Sequence, residues 1–118
     1  MNALDLFSNE ERLESFQAGD TIFREGDEGK SMYVVVEGAV RLSVTGRSLD
    51  RVGKGGVFGE MALIDAAPRS ATAIAASECK LASVSRERFM ELVGQSPPFA
   101  LEIMTVMANR LRSMDRRL

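Results

Sequence analysis

Within residues 57 to 75, VFGEMALIDAAPRSATAIA, three residues stand close enough to share one site: Gly59, Glu60 and Arg69. Glycine allows a ligand to come close to the backbone. Glu60-Met61-Ala62-Leu63-Ile64 are good helix formers, enough for one or two turns, and Pro68 ends any helix before it. A turn feeding a short helix points its first amides outward, an arrangement that binds phosphate well. Arg69 follows at the start of a strand, where its guanidinium can pair with the same phosphate. A carboxylate repels phosphate at close range, so Glu60 suits another role, accepting hydrogen bonds from neutral hydroxyls such as those of a sugar. The three residues together point to a sugar phosphate. The spacing also fits a structural ion pair between Glu60 and Arg69 at the end of a short helix, and spacing alone does not separate the two. A buried pair is costly to maintain for stability alone, which favours function.

The rest of the composition removes other chemistries. The chain has 118 residues and no His, which excludes Ser-His-Asp and Cys-His catalysis and His-ligated metals. The single cysteine, Cys79, forms neither an intrachain disulfide nor a zinc knuckle. Fifteen basic and 17 acidic residues give a net charge of −2, which argues against non-specific nucleic-acid binding. No apolar run is long enough to span a membrane. The opening MNALDLFSNEER lacks the basic start and apolar stretch of a secretory signal, and its Met1 fits a natural N-terminus. The expectation is one cytoplasmic domain.

The elements that position the site follow from glycine and apolar spacing. Nine of the ten glycines lie between Gly19 and Gly59, among β-branched residues, which reads as short strands joined by tight turns. Ser8 with Glu11 fits a capping box and an opening helical turn. Strands are expected at residues 12–16 and 21–24, joined at Gly19-Asp20. A third is expected at 31–37, apolar on both faces and therefore buried. In 39–45, Val40, Leu42 and Val44 share one face and Arg41, Ser43 and Thr45 the other. Gly46 turns the chain into 49–52, and two more strands fall at 70–75 and 80–84. Ser85 reads as an N-cap with Glu87 in the first turn and Gly94 as the stop. Ser96-Pro97 starts a second helix, along which Ile103, Met107, Leu111, Met114 and Leu118 form an apolar stripe. The fold class is mainly β with flanking helices: a small antiparallel β-roll followed by C-terminal helices.

Two glycine motifs fail on inspection. Gly29-Lys30-Ser31 resembles the end of a phosphate-binding P-loop, but the required earlier glycine is Arg24, and a strand stands where the helix should follow. Gly53, Gly55 and Gly56 lack the third glycine of a dinucleotide fingerprint, which falls on Phe58, and no βαβ pattern surrounds them.

The segment FGEMAL, a short loop and PRSAT resembles the phosphate-binding cassette of cyclic-nucleotide-binding domains, the cAMP and cGMP sensors of kinase regulatory subunits, gated channels and catabolite-activator-type transcription factors. GDEGKSMYVVVEG, at Gly26 to Gly38, resembles that family's second and third strands. The last two helices fall where the family has its B and C helices. The resemblance covers most of the chain. It implies one domain over residues 1–118: a jelly-roll-like β-roll (double-stranded β-helix) at about 12–85, a cassette at 58–72 and helices at about 86–94 and 97–116.

The resemblance assigns roles residue by residue. Glu60 accepts from the ribose 2′-hydroxyl and Arg69 pairs with the cyclic phosphate. Backbone amides of Gly59, Glu60 and Ala62 complete the phosphate cradle, and Phe58 and Met61 support it from the core. Ser70 occupies the position that helps choose the base, and Thr72, on the same strand face, adds a hydroxyl or is an ordinary strand threonine. Val44 and Leu49 are candidates to rest against the purine. Met107, Arg110, Leu111 and Met114 are those available to a lid helix, or to simple packing against the roll or another chain. Arg110, Arg112, Arg116 and Arg117 also suit a helix C-terminus without any ligand. Cys79 reads as a small core residue.

The implied function is a regulatory sensor of cAMP, with some cGMP binding, in which ligand favours a state with the C-terminal helix packed over the base. Neither catalysis nor a cofactor is expected, and neither nucleic acid nor membrane is an expected contact. The output partner is not legible. The alternative is a ligand-free interaction module that forms a homodimer through the C-terminal helix. A cupin-type metalloenzyme is disfavoured because its metal usually needs His.

Overall fold

The computed structural model describes residues 13–64 and 67–117, with side chains of the last helix described through Arg112. Among the described residues, eight strands and three helices follow one another: β1 (Glu14–Phe16), β2 (Thr21–Phe23), β3 (Ser31–Glu37), β4 (Val40–Val44), β5 (Arg47–Val52), β6 (Val57–Phe58), α1 (Met61–Ile64), β7 (Thr72–Ala75), β8 (Cys79–Ser85), α2 (Arg86–Gln95) and α3 (Pro98–Arg117). The strands form two four-stranded sheets, ordered β1-β8-β3-β6 and β2-β7-β4-β5. Every pairing is antiparallel. This is the mainly β roll with flanking helices that the glycine-punctuated strands imply. The capping box expected at Ser8 and Glu11 lies outside the described residues.

β3 shows why a strand can be apolar on both faces. Met32, Val34 and Val36 point to one side, into a buried cluster with Leu63 of α1, Leu92 of α2, and Phe99 and Ile103 of α3. Val35 points to the other side, among Phe23, Val40, Leu42, Val52, Phe58 and Leu81 between the sheets. β8 repeats the arrangement, with Ala82 and Val84 toward the helices and Cys79 and Leu81 between the sheets. Alternation in both strands divides the core into a roll interior and a roll–helix layer. Cys79 is buried, and that burial, with the charge of Asp20 added, pushes its thiol pKa up.

The helices differ from expectation at their junction. The Ser85 hydroxyl caps α2 by accepting from the Arg88 amide at 3.2 Å. Gly94 does not stop the helix, which runs to Gln95. The Ser96 amide still donates to Leu92 O at 2.7 Å, and the chain leaves helical geometry at Ser96 because it precedes Pro97. α3 then begins at Pro98. Its buried face carries Phe99 and Ile103, with Val106 and Met107 partly buried beside them. Leu111, placed on the apolar stripe by spacing, is instead 62% exposed, while Arg110 takes the inward direction with a side chain only 17% exposed. β6 has no counterpart among the expected strands. Its two residues, paired with Tyr33 and Val34, are too few to show a period.

Candidate functional site

β6 delivers the chain to Gly59, which has φ +75 and would place a Cβ 2.8 Å from Arg69 Nη1. Only glycine tolerates both the backbone conformation and that approach. Glu60 follows and turns inward, 4% exposed. α1 is described over a single turn, Met61–Ile64. Arg86 at the start of α2 reaches across to donate to Leu63 O at 3.0 Å, satisfying a carbonyl in the last turn of α1. Beyond Pro68, the Arg69 amide donates to Asp27 O at 2.8 Å and Arg69 O accepts from the Gly26 amide at 2.9 Å. These two bonds fasten the segment to the β2–β3 loop.

The ion pair between Glu60 and Arg69, the alternative to a shared ligand site, is not present. Arg110, on α3, donates through Nη1 to both oxygens of Glu60, at 2.7 and 2.9 Å. Its Nε donates to Asp50 Oδ2 at 3.2 Å and its Nη2 to Val57 O. Arg69 has neutral acceptors instead: Nη2 donates to Ser31 O at 2.8 Å and Nη1 to Gly59 O at 3.2 Å. Its guanidinium lies 4.1 Å above the Phe23 ring, a cation–π contact. Its Nε is buried with no hydrogen-bond partner. A Cβ on Gly29 would overlap that guanidinium, so Gly29, no part of a P-loop, is the floor under the arginine. Burial lowers the Arg69 pKa, opposed by Tyr33, Asp27 and Glu60. The cation is held in a partly dry place without an anionic hydrogen-bond partner.

Both charges border one cavity of about 340 Å³. The cassette supplies Gly59, Glu60, Met61, Ala62, Arg69 and Ser70; the roll supplies Leu49; and α3 supplies Met107, Arg110 and Leu111. Phe58 is wholly buried behind the cavity in the roll interior, stacked on Tyr33 with ring centroids 5.3 Å apart. Three other residues stand elsewhere than expected. Met61 is 49% exposed and borders the opening rather than supporting it from the core. Val44 does not line the cavity, and Leu42, two residues earlier on the same face of β4, does. A register shift between Leu42 and Ser43 in the β4–β5 pairing separates the end of that strand from the site. Thr72 is also outside, its hydroxyl accepting from the Glu25 amide at 3.1 Å. The Ala62 amide already donates to Gly59 O at 3.3 Å, a turn bond that leads into the helix. Met114 lies beyond the described side chains.

Phe23, Ala67, Pro68 and Ala71 also border the cavity; the last three fall within the expected cassette, whereas sequence reasoning gives Phe23 no part in the site. Phe23 ends a three-residue strand, and nothing local marks its ring as the platform for Arg69. Asp50 is likewise silent in the sequence, a lone acid in a strand. A second, more open cleft of about 380 Å³ lies between the β5–β6 turn and α3, on the other side of Arg110, with Asp50 in its wall. Among the described residues no group of three or more His, Cys, Asp or Glu is placed to hold a metal. No helix among them is long and apolar enough to cross a membrane.

The family model for the cyclic nucleotide-binding domain matches residues 13–96. The cyclic AMP receptor protein of Thermus thermophilus is 37% identical over 108 residues, covering 87% of this chain and 50% of its own length. The human potassium/sodium hyperpolarization-activated cyclic nucleotide-gated channel 4 is 34% identical over 106 residues, 90% of this chain and 9% of the channel. The crystal structure of the Thermus thermophilus catabolite activator protein superposes with a TM-score of 0.81 at 34% identity, over 97% of this chain and 56% of that one. The chain thus spans half the length, or less, of these curated relatives. With the family's pattern present over residues 13–96 and its fold shared at a TM-score of 0.81, the chain belongs to the cyclic nucleotide-binding domain family.

Proposed function

We propose that this chain is a regulatory sensor that binds cAMP, and more weakly cGMP, in the cavity between the cassette and α3, and that it performs no catalysis. The observation that carries the reading is the pairing of Glu60 and Arg69 on one cavity whose remaining walls are largely apolar. A cavity of about 340 Å³ falls within the ~300–1,000 Å³ usual for small-molecule sites. The cyclic phosphate sits against Arg69, whose neutral acceptors leave its charge uncompensated by any anionic hydrogen bond. The ribose hydroxyl donates to Glu60. The purine rests among Leu42, Leu49, Met107 and Leu111, with Ser70 beside it to discriminate bases. The name of the Thermus thermophilus relative, cyclic AMP receptor protein, supports cAMP as the nucleotide.

Binding acts by population shift, favouring the state in which α3 covers the base, and the coupling is no larger than the ligand's preference between states. The output is a partner or domain that reads the position of α3, in a cytoplasmic setting. Isothermal titration calorimetry with cAMP and cGMP tests the reading, because Tyr33 is the sole tyrosine and there is no Trp for fluorescence. Micromolar or tighter binding that Arg69→Leu weakens at least tenfold supports it. No heat with either nucleotide, from folded protein free of co-purified ligand, overturns it. The second reading is the interaction module, favoured by Leu101 and Met104 of α3, which are 65% and 55% exposed. Mass that rises with concentration and ignores nucleotide would support that alternative.

A further inference from the structure

We propose that Asp50 is a positioning residue for α3. It is the second seat of the Arg110 guanidinium, and it keeps the helix on the roll when Glu60 turns to a bound nucleotide. This rests on the nucleotide reading above for its ligand and adds the element that holds the lid.

The three nitrogens of Arg110 reach three different places: Nη1 to Glu60, Nε to Asp50 and Nη2 to Val57 O. The two carboxylates are not equivalent. Glu60 is buried, with a side chain 5% exposed, and borders the nucleotide cavity. A ribose hydroxyl that donates to it therefore shares its oxygens with Nη1 and weakens that hold. Asp50 is 41% exposed and borders only the neighbouring cleft. Nothing that enters the nucleotide cavity meets its carboxylate.

The strand holds the Asp50 side chain in place. Asp50 stands opposite Leu42, at the last regular pair before the β4–β5 register shift. Its Oδ1 accepts from the Arg51 amide at 2.8 Å, leaving Oδ2 to face Arg110. The bond to Asp50 is thus the part of the latch that survives ligand entry.

An electrostatic role for Asp50 predicts the opposite sign. A negative charge near a phosphate site weakens anion binding through space, so its removal alone would tighten cAMP binding. A positioning role predicts weaker binding, because the lid loses its hold. The two are separated by Asp50→Ala, Arg110→Met and the double variant, each titrated with cAMP and followed by hydrogen exchange of the α3 amides at 105–112, without and with nucleotide.

Asp50→Ala is expected to weaken cAMP binding about two- to fivefold, the range for a partly exposed charged contact. It is also expected to speed α3 exchange in both states. In the Arg110→Met background the same substitution is expected to change neither. Unchanged or tighter binding in Asp50→Ala overturns the proposal, as does an equal loss when Arg110 is already gone. Wild-type protein that binds no cAMP would overturn the nucleotide reading instead. Exchange in the ligand-free protein then judges the seat by itself: faster exchange supports it, and unchanged exchange overturns it.

Discussion

The two arginines of the cavity are held in opposite ways. Arg69 sits on the roll against two carbonyls and an aromatic ring, with no carboxylate in hydrogen-bonding reach. Arg110 comes in from α3 and spends its hydrogen bonds on two carboxylates and a carbonyl. One is a fixed cation without an anionic hydrogen-bond partner; the other is a fastener whose charge is already balanced. Similar side chains therefore have different weights: removing Arg110 should be felt as stability, and removing Arg69 as affinity.

The largest expected effect is in Arg110→Met. It leaves the buried Glu60 carboxylate without a cation, and breaking a buried pair costs about 3–5 kcal/mol. Urea unfolding should show a loss near the low end, about 3 kcal/mol, since Arg110 keeps some contact with solvent. Adding Glu60→Gln should restore part of it. Equal stability of wild type and Arg110→Met would erase the contrast between the two arginines.

Next comes Arg69→Leu, which should lose about 1.5–3 kcal/mol of cyclic-nucleotide binding, a charge-assisted contact. Calorimetry reads this as roughly tenfold to a few hundredfold in affinity. Its unfolding midpoint should move much less than that of Arg110→Met. Gly29→Ala is a subtler probe of the same wall. Its methyl group must displace the Arg69 guanidinium, and overpacking of this kind costs about 1–3 kcal/mol. Nucleotide affinity should fall with no charge removed. Unchanged affinity would show that the arginine has another place to stand.

The smallest effect is alkaline. Burial lifts the Tyr33 phenol, beside Arg69, and the Cys79 thiol above their ordinary values of 10.0 and 9.0. Both groups hold their protons more tightly folded than unfolded. Their contribution is complete below about pH 9 and is lost as pH rises through the raised values. Tyr33→Phe should flatten the alkaline part of a stability profile and leave neutral pH alone. A profile equally steep without the phenol would locate the titration elsewhere.

What is legible in the sequence divides along the same line. Glu60 and Arg69 are nine residues apart in a segment whose proline, glycine and helix formers dictate local geometry, so their meeting at one cavity is foreseeable. The partner of Glu60 is not, because Arg110 reaches it only after β7, β8 and two helices have folded back. Spacing puts Leu111 on the inner stripe of α3, but a charge-paired arginine displaces it. The choice of Val44 fails for a related reason: the shift in the β4–β5 register is a property of the pairing, not of either strand. Thr72 does lie on a strand near the site, yet its hydroxyl is claimed by Glu25, a contact from another loop. Periodicity and capping foretell elements, and long-range pairing decides which side chains face the cavity.

The proline junction before α3 gives the helix the mechanics of a lever. Phe99, fully buried, is the fulcrum, and Arg110 stands about 16 Å along the axis from it. A tilt of about 10° at the fulcrum would carry Arg110 roughly 3 Å, as far as the whole length of its bond to Glu60. Pro97 and Pro98 have no amide to lose in such a tilt. On the proposed sensor reading, a small angular displacement, with no helix melted, would be enough to turn an occupied cavity into a movement that another protein can feel.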